Sequence, residues 1–290
     1  PYHPSSPTNG WGRKESLTSG DLHYWGVWWG VEPFEKYQQK VGRFVSEYGF
    51  QSFPSKSTLE KFTNLNDRKL NSSTLQAHQK HPKGFQIIDQ QMGLYYQKPS
   101  EFDTYTYTSQ VLQAEGLKMA IEAHRSAMPY CMGTLYWQFN DCWPVVSWSS
   151  SDYYQEKKAA YYFVKKSFAT NILTFKKQQD SLQVCLVSDS LNEMQVQFKF
   201  RVMDFTGKKI LETNQLLKVA PQSATVLLNK SIASIVSKYS LQNLVAVASI
   251  LKADGSIIDQ YFYFDMLQMN YQSSYQESLL NHHYLLGYVD

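Results

Sequence analysis

A multidomain chain, α/β in its first part and all-β in its second, is the fold class this sequence predicts, and two observations carry it. Up to about residue 168, short aromatic or aliphatic runs bounded by glycine alternate with stretches of helical spacing. From about residue 170 a strict period of two takes over. It is clearest where Met194, Val196, Phe198, Phe200 and Val202 interleave with Gln195, Gln197, Lys199 and Arg201. A length of 290 residues accommodates two domains.

Taken in order, "DLHYWGVWW" (21–29) is aromatic and lies between Gly20 and Gly30, which predicts a buried strand. "GRFVSEYGF" (42–50) predicts a second strand. Ser57-Thr58-Leu59-Glu60 has the form of a capping box and predicts the start of a helix. Tyr107, Val111, Leu117, Ile121 and His124 predict a helix over about 105–127. "MGTLYWQFN" (132–140) is a third predicted strand, and 151–168 a helix capped by Ser151 or Asp152. Strand and helix in alternation imply a parallel sheet with helical crossovers. Further on, "LQVCLVS", "SATVLLN", "NLVAVASIL" and "SIIDQYFYF" join 194–202, with turns at Asp204–Gly207 and Ala253–Gly255. Together they predict an immunoglobulin-like sandwich of roughly 95 residues. Residues 266–290, polar and Tyr-rich, are expected to be a tail or the start of a further module.

The bulk numbers exclude several classes. A net charge of +3, with no stripe of Lys and Arg, gives no footing for nucleic acid. No apolar run approaches the ~20 residues of a membrane helix. Cys131, Cys142 and Cys185 form no even framework and no CxxC, so packing is their expected role. No metal site is expected, because no second ligand stands at the right spacing from His23. The sequence begins at Pro1 without an initiator Met, and a longer parent polypeptide is expected.

The chemistry centres on Glu47. An unpaired charge among aromatic and apolar neighbours is costly, so such a carboxylate is exposed, partnered or kept for reaction. Glu47 ends the run "RFVSE", and Trp137, Asn140 and Asp141 end "GTLYWQFND" in the same way. His23, Tyr24, Trp25 and Trp29 lie along or just beyond the earlier run. A carboxylate ringed by aromatics and side-chain amides suits glycoside cleavage: the carboxylate meets an oxocarbenium-like centre while aromatic faces hold the sugar ring.

"SPTNGWG" (6–12), "GDLHYWGVWWG" (20–30), "SEYGFQSFPS" (46–55) and "GTLYWQFNDCWPVVSWSSSDYYQEKKAAYY" (133–162) together closely resemble the β-mannosidases of glycoside hydrolase family 2. The resemblance covers about residues 1–170. It implies that the first part, 1–169, is the C-terminal part of a (β/α)8 TIM barrel, roughly its last three strands, followed by the sandwich at 170–265. It implies that Glu47 is the nucleophile of a retaining exo-β-mannosidase. Trp137 would form a wall for the mannose ring. Trp11, His23, Tyr24, Trp29, Asn140 and Asp141 would make further substrate contacts, with Trp29 or Tyr24 bonded to the nucleophile. The implied substrate is a β-mannoside oligosaccharide, and no cofactor is needed.

The second carboxyl of a retaining mechanism, an Asn-Glu pair in the family, has no counterpart before Glu47. Asn192-Glu193 falls in the β-rich part and is rejected for that role. The acid/base and half the barrel are therefore expected in the remaining N-terminal part of the enzyme, and the isolated segment is expected to be inactive. Two alternatives stand beside this reading: a β-galactosidase or β-glucuronidase of the same superfamily, and a non-catalytic carbohydrate-binding fragment.

Overall fold

Leu22 and Val45 are apolar, buried and adjacent across two short runs, and burial on both faces favours parallel pairing here. Strand β1 (Leu22–His23) lies parallel to β2 (Val45–Glu47), with Leu22 opposite Val45 and His23 opposite Glu47. Single parallel bridges extend the set on both sides, Asn9 to Leu22 and Val45 to Thr134. Four chain segments thus run side by side in sequence order. The computed structural model from which this is read describes residues 2, 4–10, 12–236 and 243–263. Residues 266–290, with the expected tail or further module, lie outside the described residues.

Between β2 and the 134 segment come helices α1 (Lys56–Phe62), α2 (Ser73–Ala77), α3 (Gly84–Tyr95) and α4 (Phe102–Ser126). A fifth, α5 (Ala159–Ser167), follows. The buried face of α4, with Leu112, Leu117, Ala120 and Ile121, has the predicted spacing. Neither α2 nor α3 was read from the sequence.

The structure corrects several local expectations. The strand expected over 21–29 ends at His23, because the chain turns back at Gly26, where Glu32 N–H donates to the Gly26 carbonyl at 3.1 Å. A Cβ on Gly26 would stand 2.1 Å from Glu32 Oε2, in the place of the Tyr24–Glu32 hydrogen bond. The strand expected over 42–50 shortens to β2. The strand expected over 132–140 reduces to bridges at Thr134 and Asn140, because its backbone partners change. Leu135 and Trp137 donate to the carbonyls of Val45 and Tyr48, whereas Gln138 donates to Trp148. The Trp137–Gln138 peptide is cis.

Helix α1 is capped by Ser55, whose hydroxyl accepts from Thr58 N–H, so the cap sits two residues before the one predicted. The helix expected from 151 begins only at Ala159. The buried Asp152 carboxylate takes the N–H groups of Tyr154 and Glu156 at 3.0 and 3.1 Å, closing a loop in competition with a helix. Gln110 caps α5 from outside by accepting the Ala159 N–H.

The described residues fall into two compact units, one holding those up to Ile121 together with Gly133–Lys166, the other holding Glu122–Met132 and those from Ser167 onward. The second unit is a two-sheet sandwich. Strands β3 (Asn171–Gln178), β4 (Ser181–Ser188) and β7 (Ser223–Ser231) form one sheet. The other has the order β6-β5-β8-β9, from β6 (Lys209–Val219), β5 (Met194–Asp204), β8 (Leu244–Leu251) and β9 (Ile257–Tyr263). All pairings in the two sheets are antiparallel. Leu173, Val184 and Leu186 meet Val196, Phe198, Phe200, Val202 and Ile250 in one core. The alternation at 194–202 is the buried face of β5. A short helix, α6 (Ile232–Val236), follows β7.

Candidate active site

Glu47 is the last residue of β2, so strand geometry aims it at the end of the parallel set. Its register partner is His23, and Trp25 lies two residues beyond on the same side of the chain. Both reach the same carboxylate oxygen. The Trp25 indole Nε1–H donates to Glu47 Oε2 at 2.9 Å, and His23 Nδ1 lies 3.0 Å from that atom. The side chains of His23 and Glu47 are 21% and 23% exposed, a state in which a carboxylate is partly desolvated yet still open to a ligand. Trp25 in turn meets Trp148 edge to face at 6.2 Å.

Beneath His23 lies a polar cluster around Asp21. The Thr8 N–H and hydroxyl donate to Asp21 Oδ1 at 2.7 and 2.8 Å, and the Ser46 hydroxyl donates to Oδ2 at 2.6 Å. Ser6 Oγ stands 2.6 Å from Oδ2 and 3.0 Å from His23 Nε2. Partial burial alone would raise the Asp21 pKa, but the bonds from Ser46, Ser6 and Thr8 outweigh it and hold the carboxyl below the usual range.

Other residues singled out in the sequence sit as follows. Tyr24 is buried, and its hydroxyl donates to Glu32; burial and that carboxylate push its pKa up. Among the described residues, the side chains that reach Glu47 are thus Trp25 and His23. Trp29 is 54% exposed and meets the His81 ring edge to face at 4.5 Å. Burial, with Lys83 nearby, lowers the His81 pKa. Trp137 is 44% exposed and is held by its backbone N–H, which donates to the Tyr48 carbonyl at 2.7 Å. Gly49 makes that approach possible, because a Cβ there would stand 2.1 Å from the Trp137 carbonyl oxygen. Asn140 is exposed, and its carbonyl accepts from the Gln138 side chain. Asp141 is buried, accepting from the Ser147 and Ser149 hydroxyls and pairing with Lys80 at 3.2 Å. Trp11 lies outside the described residues.

The resemblance puts Trp25 in a run expected near the carboxylate but gives the bond to Glu47 to Trp29 or Tyr24, and it passes over Asp21 and Ser6. A signal was present: Asp21, His23 and Trp25 alternate at period two, which puts them on one side and Tyr24 on the other. Among the described residues no cluster of three or more His, Cys, Asp or Glu side chains is arranged to hold a metal ion. Nor is any described helix long and apolar enough to cross a membrane.

The solved structures similar to this chain include glycoside-cleaving proteins. The fold aligns with an exo-chitosanase from Amycolatopsis orientalis at a TM-score of 0.65 and 18% identity, over 80% of this chain and 29% of that one, a likeness of fold. Within that class the similarity is to the β-mannosidases of glycoside hydrolase family 2. The β-D-mannosidase from Dictyoglomus thermophilum aligns with a TM-score of 0.80 at 30% identity, over 84% of this chain and 30% of that one. Residues 180–266 match the Mannosidase Ig/CBM-like domain. Beta-mannosidase B of Thermothelomyces thermophilus is 38% identical over 184 residues, covering 58% of this chain and 21% of that protein. Its counterpart from Aspergillus niger is 37% identical over 172 residues, covering 57% and 20%. The chain therefore spans about a fifth of the length of the curated relatives it matches.

Proposed function

We propose that this chain is the nucleophile-bearing portion of a retaining exo-β-mannosidase that removes terminal non-reducing β-D-mannose from β-mannoside oligosaccharides. The observation that carries the reading is the Glu47 carboxylate. It ends a parallel strand, is partly open, and has one oxygen held by Trp25 and His23. A carboxylate fixed through one oxygen presents the other for attack at an anomeric carbon. The glycosidic bond breaks as a second carboxyl about 5–5.5 Å away protonates the leaving oxygen, and the resulting mannosyl-enzyme is then hydrolysed by water that the same carboxyl activates.

That second carboxyl belongs, in this reading, to the remaining N-terminal part of the enzyme, and the 290 residues alone are inactive. Among the carboxylates of this chain, Asp21 is committed to four donors and Asp141 to two hydroxyls and Lys80. Glu193 pairs with Lys218 in the sandwich. Residues 1–169 are the C-terminal part of a (β/α)8 barrel and 170–265 its companion sandwich. The large exposed side chains of Leu135 and Phe139, beside the 134 segment, support a partner that continues the barrel there. Trp137 forms a wall for the mannose ring, with His23, Tyr24, Trp29, Asn140 and Asp141 as substrate-contacting or supporting residues, and Trp11 a further contact by the resemblance.

The test uses the intact protein that carries this chain. Incubation with 2-deoxy-2-fluoro-β-mannosyl fluoride should leave one adduct, mapped to Glu47 by peptide mass analysis, and p-nitrophenyl β-mannoside should be hydrolysed in preference to the β-galactoside. An adduct elsewhere, or preference for the galactoside, would overturn the reading.

A further inference from the structure

The cluster beneath Glu47 fixes the direction of each hydrogen bond in turn. Asp21 is the meeting point of Thr8 N–H, Thr8 Oγ, Ser46 Oγ and Ser6 Oγ, all at 2.6–2.8 Å, and an ionised carboxylate only accepts. The single hydroxyl hydrogen of Ser6 therefore points at Asp21. Ser6 Oγ still lies 3.0 Å from His23 Nε2, and with its hydrogen spent it faces that nitrogen through a lone pair. Nε2 must then carry the hydrogen. The opposite ring nitrogen, Nδ1, stands 3.0 Å from Glu47 Oε2. A neutral ring with its hydrogen on Nε2 would set the bare Nδ1 lone pair against a carboxylate oxygen, which is repulsive.

We propose that Glu47 and His23 hold one proton between them in the resting protein, so that the pair is neutral overall, and that Asp21, acting through Ser6, imposes this by fixing the ring with hydrogen on Nε2. His23 is then a positioning residue. It orients Oε2 together with Trp25 and keeps the charge of the carboxylate balanced without entering the bond-making step. Among the described residues, the charged groups facing the ring are Glu47 across the strand pair and Asp21 beyond Ser6; Glu32 is engaged by Tyr24. The positioning role, though not the proton itself, rests on Glu47 being the nucleophile.

The experiment is ¹⁵N NMR of the histidine-labelled intact protein, with the His23 resonances assigned by their absence in His23→Gln. The expected result at neutral pH is hydrogen on Nε2 together with a second proton on Nδ1 or, read by ¹³C labelling of glutamate, on the Glu47 carboxyl; hydrogen on Nε2 alone beside an ionised Glu47 would overturn the inference. In Asp21→Asn the amide donates to Ser6, whose hydroxyl is then free to donate to Nε2, and the ring should become neutral with hydrogen on Nδ1. Ser6→Ala, at an exposed position that folding should tolerate, removes the same constraint and should shift the ring the same way. A neutral ring with hydrogen on Nδ1 in the unmodified protein, or an unchanged ring in both variants, would overturn the inference. If the NMR signature is found while the intact protein leaves β-mannosides untouched, the functional reading fails and the shared proton stands.

Discussion

Replacing Lys158 with methionine should abolish a rise in stability between pH 7 and pH 9. Lys158 is fully buried, and its ammonium donates to the carbonyls of Ser52 and Ser147 at 3.2 Å each. Burial is the dominant influence on it and Lys80 reinforces that. Asp141 and Asp152 pull the other way, and the net result is a pKa pushed down from 10.5 to about 7. Between those two values the unfolded chain binds a proton that the folded protein does not, so stability increases with pH across that window. Below about pH 7 the charged form is buried and its penalty is constant. With about 1.4 kcal/mol for each pKa unit, the whole window corresponds to roughly 5 kcal/mol, of which roughly 2 falls between pH 7 and 9.

The assay is chemical denaturation of both proteins at the two pH values, comparing the change in unfolding free energy. The methionine variant also loses two hydrogen bonds to backbone carbonyls, at about 0.5–1.5 kcal/mol each, because the Ser52 and Ser147 carbonyls still accept from the backbone N–H of Ser147 and Ser52. That loss is the same at both pH values and cancels in the comparison, as do all other titrating groups. Curves for the two proteins that move in parallel from pH 7 to 9 would refute the reasoning.

Three further outcomes are expected. Gly49→Ala would drive a methyl group into the Trp137 carbonyl, and thermal denaturation should report a loss of about 1–3 kcal/mol, with Trp137 displaced. Trp25→Phe keeps the ring packing but removes the donor to Glu47. A charge-assisted bond of about 1.5–3 kcal/mol predicts a fall in kcat/KM of roughly 10- to 100-fold in steady-state assays of the intact protein. Phe198→Ala, in the middle of β5 and fully buried, should destabilise the sandwich by about 3–5 kcal/mol in urea titrations while leaving the Glu47 environment unaltered.

What the sequence makes legible depends on where the determining contacts lie. The alternation in β5 and the turn at Asp204–Gly207 are local, and both are found in the structure; Asp204 accepts from Thr206 and Lys208 N–H, and Gly207 adopts φ +87°. Strand β6 escaped because much of it is exposed, so its side chains alternate weakly. Helix α3 escaped because Gly84 and Gly93 weaken its local preference, and burial of Ile88, Met92 and Tyr95 supplies what propensity lacks. Residues 151–158 look helical in isolation, and only the distant Thr58, which donates to Asp152 at 2.6 Å, reveals why that carboxylate organises a loop. Glu47 stands out by its company. Its pairing with His23 is a matter of register between two strands, which no run of residues spells out.

The order of the parallel segments also bears on how the chain assembles. Val45 follows Leu22 by 23 residues, whereas Thr134 follows Val45 by 89. Closing the longer span costs about 1.2 kcal/mol more in chain entropy than the shorter, before any helix between them has formed. The β1–β2 contact that brings His23 to Glu47 is therefore the more local of the two and should be made early. The contact that brings Trp137 alongside should wait until α1 to α4 have shortened the intervening loop. Slowing that second closure, for instance by weakening α4 at its buried Leu112, would lower the refolding rate while leaving the first pairing intact.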